Sequence, residues 1–253
     1  IPHLLVPVVF DPKKAAGALH WAVTEMERRY DILESTGKRN LAQYNEATKD
    51  DPTAEKLPQI IIVIDELADL MTVAPDDVEM SINRIAAKAR AAGMHLLVGT
   101  QRPSVDVITG TIKSNIPSRI ACKTSSQIDS RTILDTAGAE KLIGRGDMLF
   151  SPVGAPKPIR VQGCYASDEE IEGVTGYIKK SYEAQYNAEI EEKIKRIAAE
   201  DINGNSKESK HGSEDSADNV DEKMEEAIKC IIDAGQASTS LLQRRLKVGY
   251  ARA

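Results

Sequence analysis

Aromatic residues are scarce: one Trp, two Phe and seven Tyr make up 4% of the 253 residues. Cysteine is scarcer still. Cys122, Cys164 and Cys230 are far apart and odd in number, which excludes a disulfide framework and any paired-cysteine metal spacing. They read as buried or incidental thiols of a reducing compartment. The four histidines are equally scattered, so no metal centre built on His or Cys is expected. No run approaches the roughly 18 consecutive apolar residues of a membrane-spanning helix. There is no initiator Met and no charged-then-apolar leader. The chain opens in what reads as mid-strand, at Ile1-Pro2-His3-Leu4-Leu5-Val6. It is therefore expected to be a piece of a longer polypeptide, with room upstream for a membrane anchor. A phosphate-cradling G-x-x-x-x-G-K-[ST] loop is missing throughout. The glycine cluster Gly144-Arg145-Gly146-Asp147 lacks the Lys and the hydroxyl and reads as a tight turn before a strand.

Hydrophobic residues make up 41% of the chain and charged ones 28%, the proportions of a soluble globular protein with one or two domains. The net charge of −6 excludes a surface that is basic everywhere. It leaves room for nucleic-acid contact through a few basic residues gathered on one channel.

Residues 1–10 read as a strand or extended segment. Asp11 and Pro12 then form a helix start, cap followed by N1 proline. Ala15, Leu19, Ala22, Val23, Met26, Tyr30 and Leu33 keep helical spacing up to a stop at Gly37. Residues 38–58 read as polar loop around a short helix. Ile60-Ile61-Ile62-Val63-Ile64 is apolar without alternation, the pattern of a strand buried on both faces in a parallel sheet. Asp76 or Asp77 is positioned to cap a helix running to about Ala92 and stopped by Gly93, after which His95–Thr100 reads as a second buried strand. Strand, helix, strand is a βαβ unit. Further strands are predicted at Ser118–Thr124, Asp147–Phe150 and Pro158–Gln162, a helix at Gln127–Leu134, a turn at Ala139–Ile143, and a helix capped by Asp168 running to about Ala199. Residues 201–219 contain one large aliphatic, Ile202, and no aromatic, so they read as a flexible polar linker. Apolar periodicity resumes at Met224, Ala227, Ile228, Ile231 and Ile232, then at Leu241, Leu242 and Leu246, as a small second module.

Three places carry chemistry. The β-branched run ends in Asp65-Glu66, the Walker B pattern of P-loop ATPases: a carboxylate to hold hydrated Mg²⁺ and another to orient the attacking water. An ordinary strand whose carboxylates cap the next helix explains the same residues equally well. Gly99-Thr100-Gln101-Arg102 closes the next strand, where Thr100 or Gln101 is placed to sense a γ-phosphate, or simply to turn the chain. Arg90 either steadies a helix end through its dipole or reaches a neighbouring subunit's nucleotide as an arginine finger.

Together these residues resemble the motor domain of the FtsK/SpoIIIE family of DNA translocases. The resemblance runs through IPHLLVPVV, DPKKAAGALHWAVTEMERRY, IIIVIDELADLM, GTQRPSVDVITGTIKSNIPSRI, IDSRTILD and GAEKLIGRGDMLF, over about residues 1–180. EAIKCIIDAGQASTSLLQRRLKVGYARA is similar to the start of the family's γ winged-helix domain. The resemblance implies an α/β fold, a partial RecA-like P-loop ATPase core with a central, mostly parallel sheet, over 1–180. A helix extension and linker over 181–219 and a truncated winged-helix module over 220–253 would follow. It implies a homo-hexameric ring around double-stranded DNA, with ATP and Mg²⁺ as cofactors. Asp65 would hold Mg²⁺ through water, Glu66 would be the catalytic base or water-orienting group, Gln101 would be the sensor, Thr100 would touch nucleotide, and Arg90 would act in the neighbouring subunit. Arg102 and Lys113 would flank a pore-loop segment, and Arg131 would lie in a second one, where Gln127 stands at a position often occupied by Lys in the family. Arg131 would supply charge there, or else pair structurally with Asp129 or Asp135. Arg244, Arg245 and Lys247 would be the DNA-binding residues of the γ module. The family's Walker A loop lies before Ile1. The fragment alone is therefore expected to be inactive, and to be the cytoplasmic part of a membrane-anchored bacterial protein. The alternatives are a non-catalytic DNA-binding or assembly module, and a related pump for single strands or protein, against which the γ-like segment weighs.

Overall fold

The computed structural model describes residues 1–203, and among these the expected α/β arrangement is present. Residues 1–10 are extended and turned but pair with no strand among the described residues. Helix α1 (Pro12–Ser35) begins as its sequence dictates: the Asp11 carboxylate accepts the Lys14 N–H at 2.9 Å, and Pro12 takes the first turn. It ends before Gly37, whose φ of +65° only glycine adopts freely. Leu19, Ala22, Val23, Met26 and Leu33 form its buried stripe. Helix α2 (Leu41–Ala47), capped by Asn40, occupies the polar stretch.

Strands β1 (Ile60–Ile64) and β2 (Met94–Val98) pair in parallel, Ile60 beside Met94 and Ile64 beside Val98. Between them lie two helices where one was expected. Helix α3 (Leu67–Val73) follows β1 at once, and α4 (Pro75–Lys88) starts at an N1 proline after Ala74. Asp76 and Asp77 do not cap α4; they sit in its first turn, where carboxylates offset the helix dipole. The expectation of burial on both faces fails for β1. Ile60, Ile62, Ile64, Met94, Leu96 and Val98 pack toward α1, α3 and α4, whereas Ile61, Val63 and Leu97 on the opposite face are 68%, 63% and 62% exposed. Period-two geometry gives the sheet two faces, and among the described residues helices cover only one.

A buried cation ties this layer together. The Arg29 side chain is 2% exposed; its Nε donates to Glu25 Oε1 at 2.8 Å. Its Nη1 donates to the Pro58 and Ala92 carbonyls at 2.8 and 2.9 Å. One guanidinium thus links α1 to the approaches of both β1 and β2.

After β2, the six-residue helix α5 (Gly110–Asn115), for which the sequence carried no helix signal, buries Ile112. Strands β3 (Arg119–Cys122), β4 (Asp147–Ser151) and β5 (Ile159–Gln162) form an antiparallel sheet of their own. Helix α6 (Gln127–Leu134), started by a capping box between Ser126 and Asp129, packs on it through a small core of Ala121, Leu134, Ala139 and Leu142. The buried Ser130 hydroxyl fixes the following 3-10 turn (Ala139–Lys141) by donating to the Thr136 carbonyl and accepting from the Ala139 N–H. Arg160 grips the Asp147 carboxylate at 2.9 and 2.7 Å and, with the Ile143 N–H, holds it down to about 2.

The single helix expected from Asp168 is two. Helix α7 (Asp168–Ser181) is capped by Ser167 rather than Asp168 and buries nothing among the described residues. After a break at 182–187, α8 (Ala188–Asn203) returns to pack on α1. Gly17 permits the approach, since a Cβ there would meet the Ile194 carbonyl at 3.0 Å. The proposed linker and the module at 220–253 lie outside the described residues, apart from the end of α8.

Substituting Arg29→Met should cost about 3 kcal/mol, because the Pro58 and Ala92 carbonyls and one side of Glu25 lose their donor in the interior. Urea unfolding measures this; a loss below about 1 kcal/mol, the worth of a typical exposed pair, would mean Arg29 does not hold the strand entrances.

Candidate functional site

The site forms where β1 and β2 end side by side. The Gly99 N–H donates to the Ile64 carbonyl at 2.8 Å and the Leu67 N–H to the Gly99 carbonyl at 2.9 Å, so backbone contact continues past both strands. Glycine is required at 99: a Cβ would lie 2.8 Å from the Asp65 carbonyl oxygen. This brings Asp65-Glu66 against Thr100-Gln101, four of the residues singled out in the sequence.

Glu66 does several things at once. Its Oε1 accepts the Ala68 N–H at 3.0 Å, capping α3, and also takes a short hydrogen bond from the Thr100 hydroxyl. Its Oε2 accepts the Gln101 N–H at 2.9 Å. Burial pushes the carboxyl up, but the Thr100 hydroxyl, the Gln101 and Ala68 amides and the nearby Arg102 charge outweigh it and hold Glu66 below the usual carboxylate range. Asp65 is exposed, and no hydrogen bond occupies its side chain among the described residues. A lone accessible carboxylate of this kind suits Mg²⁺, which keeps most of its water. No group of three or more His, Cys, Asp or Glu able to enclose a metal exists among the described residues.

The Gln101 side chain is exposed beside them, its backbone anchored by Glu66. A cleft of about 630 Å³ opens from the strand tips along β2, α5 and β3, lined by Leu96, Thr100, Gln101, Ile112, Ile120 and Ile133 among others. The β2 edge away from β1 and the β3 edge away from β4 both border it, unpaired among the described residues.

The basic candidates separate. Arg102 projects from the tip with 68% of its side chain exposed, 3.9 Å from Asp69, a neighbour the sequence reading did not single out. Lys113 is engaged: its Nζ donates to Asp135 Oδ1 at 2.6 Å, and Arg119 takes the other oxygen at 2.6 Å. Arg131 is exposed and pairs with neither Asp129, which closes the α6 capping box, nor Asp135. Arg90 stands two residues past the end of α4, just before β2 begins. It is therefore at the opposite end of the sheet from Glu66, roughly 15 Å away at about 3.3 Å per strand residue. Arg244, Arg245 and Lys247 lie outside the described residues.

The comparisons with known proteins agree with one another. Residues 1–105 match the FtsK/SpoIIIE family model and residues 218–253 the Ftsk gamma domain. The whole chain is 58% identical to a DNA translocase FtsK of Clostridium acetobutylicum, covering 31% of it. It is 52% identical to DNA translocase SpoIIIE of Bacillus subtilis, again covering 31% of that protein. The chain thus spans about a third of the length of these curated relatives. A solved conjugation coupling protein, pCW3 TcpA in its monomer form with ATPγS, superposes with a TM-score of 0.60 at 28% identity, over 69% of this chain and 51% of that one. The fold is α/β of the P-loop ATPase type, with its parallel sheet at β1–β2.

Replacing Thr100 with Val removes the hydroxyl donor and should raise the Glu66 carboxyl toward its ordinary value. The carboxyl carbon resonance of Glu66, followed against pH, reads this directly; an unmoved midpoint would show that Thr100 does not hold it down.

Proposed function

Because the chain belongs to the FtsK/SpoIIIE family, we propose that it is part of an ATP-driven motor that moves double-stranded DNA during cell division or sporulation. The observation that carries the reading is the juxtaposition at the strand tips: an accessible Asp65 beside an ionised Glu66 whose oxygens are bonded to Thr100 and Gln101. In this reading Asp65 holds Mg²⁺ through its water, and the ion supplies charge neutralisation at the phosphates of ATP. Glu66 orients the attacking water. Its lowered proton affinity favours orienting over full proton abstraction, since an effective base has a pKa near the working pH. Thr100 and Gln101 couple that carboxylate to the neighbouring strand, so a shift of the tip on phosphate loss changes how Glu66 is held.

In this reading the phosphate-binding loop comes from outside residues 1–253, and a strand leading into it would fill the cleft between the edges of β2 and β3 that are unpaired among the described residues. Arg90, at the far end of the sheet, is suited to act on another subunit's nucleotide rather than its own, which fits a homo-hexameric ring. Arg102 and Arg131 would meet DNA phosphates in the pore, contacts that position without reading sequence. Lys113 would do so only on leaving Asp135. Residues 1–180 form the motor part, 181–219 the extension and linker, and 220–253 the γ part, with Arg244, Arg245 and Lys247 toward DNA. The fragment alone is inactive, and the whole protein is a membrane-anchored one with this part in the cytoplasm. Among the described residues no helix is long and apolar enough to cross a membrane.

A second reading, a DNA-binding or assembly module without chemistry, draws on the same carboxylate, because both Glu66 oxygens already serve the fold. In the full-length protein, Glu66→Gln should lower DNA-stimulated ATP hydrolysis by about 10²- to 10⁴-fold while ATP still binds. Hydrolysis preserved with a lowered melting temperature would favour the structural reading.

Mixing Arg90→Ala with Glu66→Gln subunits should restore part of the hydrolysis that each variant lacks alone, because some interfaces then carry both intact groups. No recovery at any ratio would remove Arg90 from action between subunits.

A further inference from the structure

Beyond the strand tips, the antiparallel sheet carries a shallow hollow of about 390 Å³ that none of the roles above uses. Its lining comes from four separate places: Thr136 and Gly138 after α6, Lys141 on the 3-10 turn, Lys157 in the turn between β4 and β5, and Arg160 on β5. Leu142 and Leu149 form the floor. The strand register sets Arg160 directly opposite Leu149, and its guanidinium is held on the Asp147 carboxylate. Three cations line the hollow and no carboxylate does, in a chain whose net charge is −6. Arg160 is paired through two nitrogens with both oxygens of Asp147, so the charge left over at the hollow is that of Lys141 and Lys157. Lys141 and Lys157 are exposed and form no ion pair among the described residues. Glu140, the nearest acid in sequence to Lys141, accepts the Gly138 N–H at 2.8 Å and is also attracted by the Lys141 and Arg131 charges, which help hold it below the usual carboxylate range.

We infer that this hollow receives a phosphate of the DNA backbone, held by Lys141 and Lys157 with Arg160 and the Thr136 hydroxyl at its rim. The inference rests on the DNA-moving reading and adds a contact outside the pore residues assigned there. The occupant is a backbone phosphate rather than a nucleotide because the lining holds no aromatic side chain to stack a base. Nor does it hold an Asn, Gln, Asp or Glu to read a base edge. Two mobile ammonium groups over a small apolar floor recognise charge, and a polymer can pass across them.

The test is made on the full-length protein with a short duplex of arbitrary sequence, recording affinity against salt concentration. Lys141→Gln combined with Lys157→Gln should reduce the slope of log affinity on log salt by about 1 to 2, equally for unrelated sequences, with an unchanged melting temperature. Lys13→Gln with Lys14→Gln, which removes the same charge from α1, should leave the slope as it was. An unchanged slope in the Lys141/Lys157 pair, or an equal drop in the α1 pair, overturns the inference while the DNA reading stands. Absence of duplex binding by the unaltered protein overturns both. Binding to phosphatidylglycerol vesicles that the Lys141/Lys157 pair loses, with duplex binding intact, would assign the hollow to a membrane surface and likewise overturn it.

Discussion

A guanidinium buried between α1 and the strand entrances fixes the alignment on which the candidate site depends. Arg29 bonds to the carbonyls of Pro58 and Ala92, just ahead of β1 and β2. With those entrances pinned, Ile60 meets Met94 and the register runs to Ile64 beside Val98. A slip of one residue in either strand would turn its inward isoleucines and leucines outward and carry Glu66 away from Thr100. The bond at one end of the sheet thus decides which side chains meet at the other. Removing a charge from water is costly, and Arg29 offsets that cost by satisfying two carbonyls and sharing Glu25 with Arg28.

Much of the fold was legible because its signals were local. Asp11-Pro12 marked the start of α1 and Gly37 its end; the span of α6 came out residue for residue; β3, β4 and β5 each fell inside or within a residue of the stretch assigned to it. The misses have physical causes. Helix α3 is only seven residues long and owes its start to Glu66, a carboxylate that serves at once as cap and as strand-tip partner. Helix α5 is shorter still and is stabilised by one buried side chain, Ile112. The separation of α7 from α8 follows from α8 packing on α1 through Gly17, a contact distant in sequence. The unalternating run of β1 suggested two buried faces, yet Ile61 and Val63 are open. Composition records that a face is apolar, while the covering element is recorded elsewhere.

The candidate site was legible as a list and less so as an arrangement. Asp65, Glu66, Thr100 and Gln101 were each visible as residues at strand ends, and the fold brings them together. What the sequence could not convey is that capping and chemistry, weighed against each other as alternatives, share one carboxylate. The bonds that cap α3 and reach Thr100 also keep Glu66 ionised. A carboxylate held by three donors is a fixed acceptor. Fixed acceptors orient water well and take protons poorly, so the structural role shapes what catalytic role remains open.

The same reasoning sorts the cations. A basic side chain contributes to phosphate binding in proportion to how little it must give up. Arg102 gives up a distant partner at 3.9 Å in solvent, worth little. Lys113 gives up Asp135, which then keeps only Arg119. Arg131, Lys141 and Lys157 give up no direct ion pair among the described residues, though Arg131 and Lys141 both attract the Glu140 carboxylate. Position along the sequence placed Arg102 and Lys113 together as flanks of one loop, but their existing bonds set them apart. For a protein of net negative charge, contact with a polyanion has to come from cations left uncommitted by the fold. Among the described residues Arg131, Lys141 and Lys157 are of this kind, and so are exposed lysines elsewhere, such as Lys13 and Lys14 on α1 and Lys179 and Lys180 on α7.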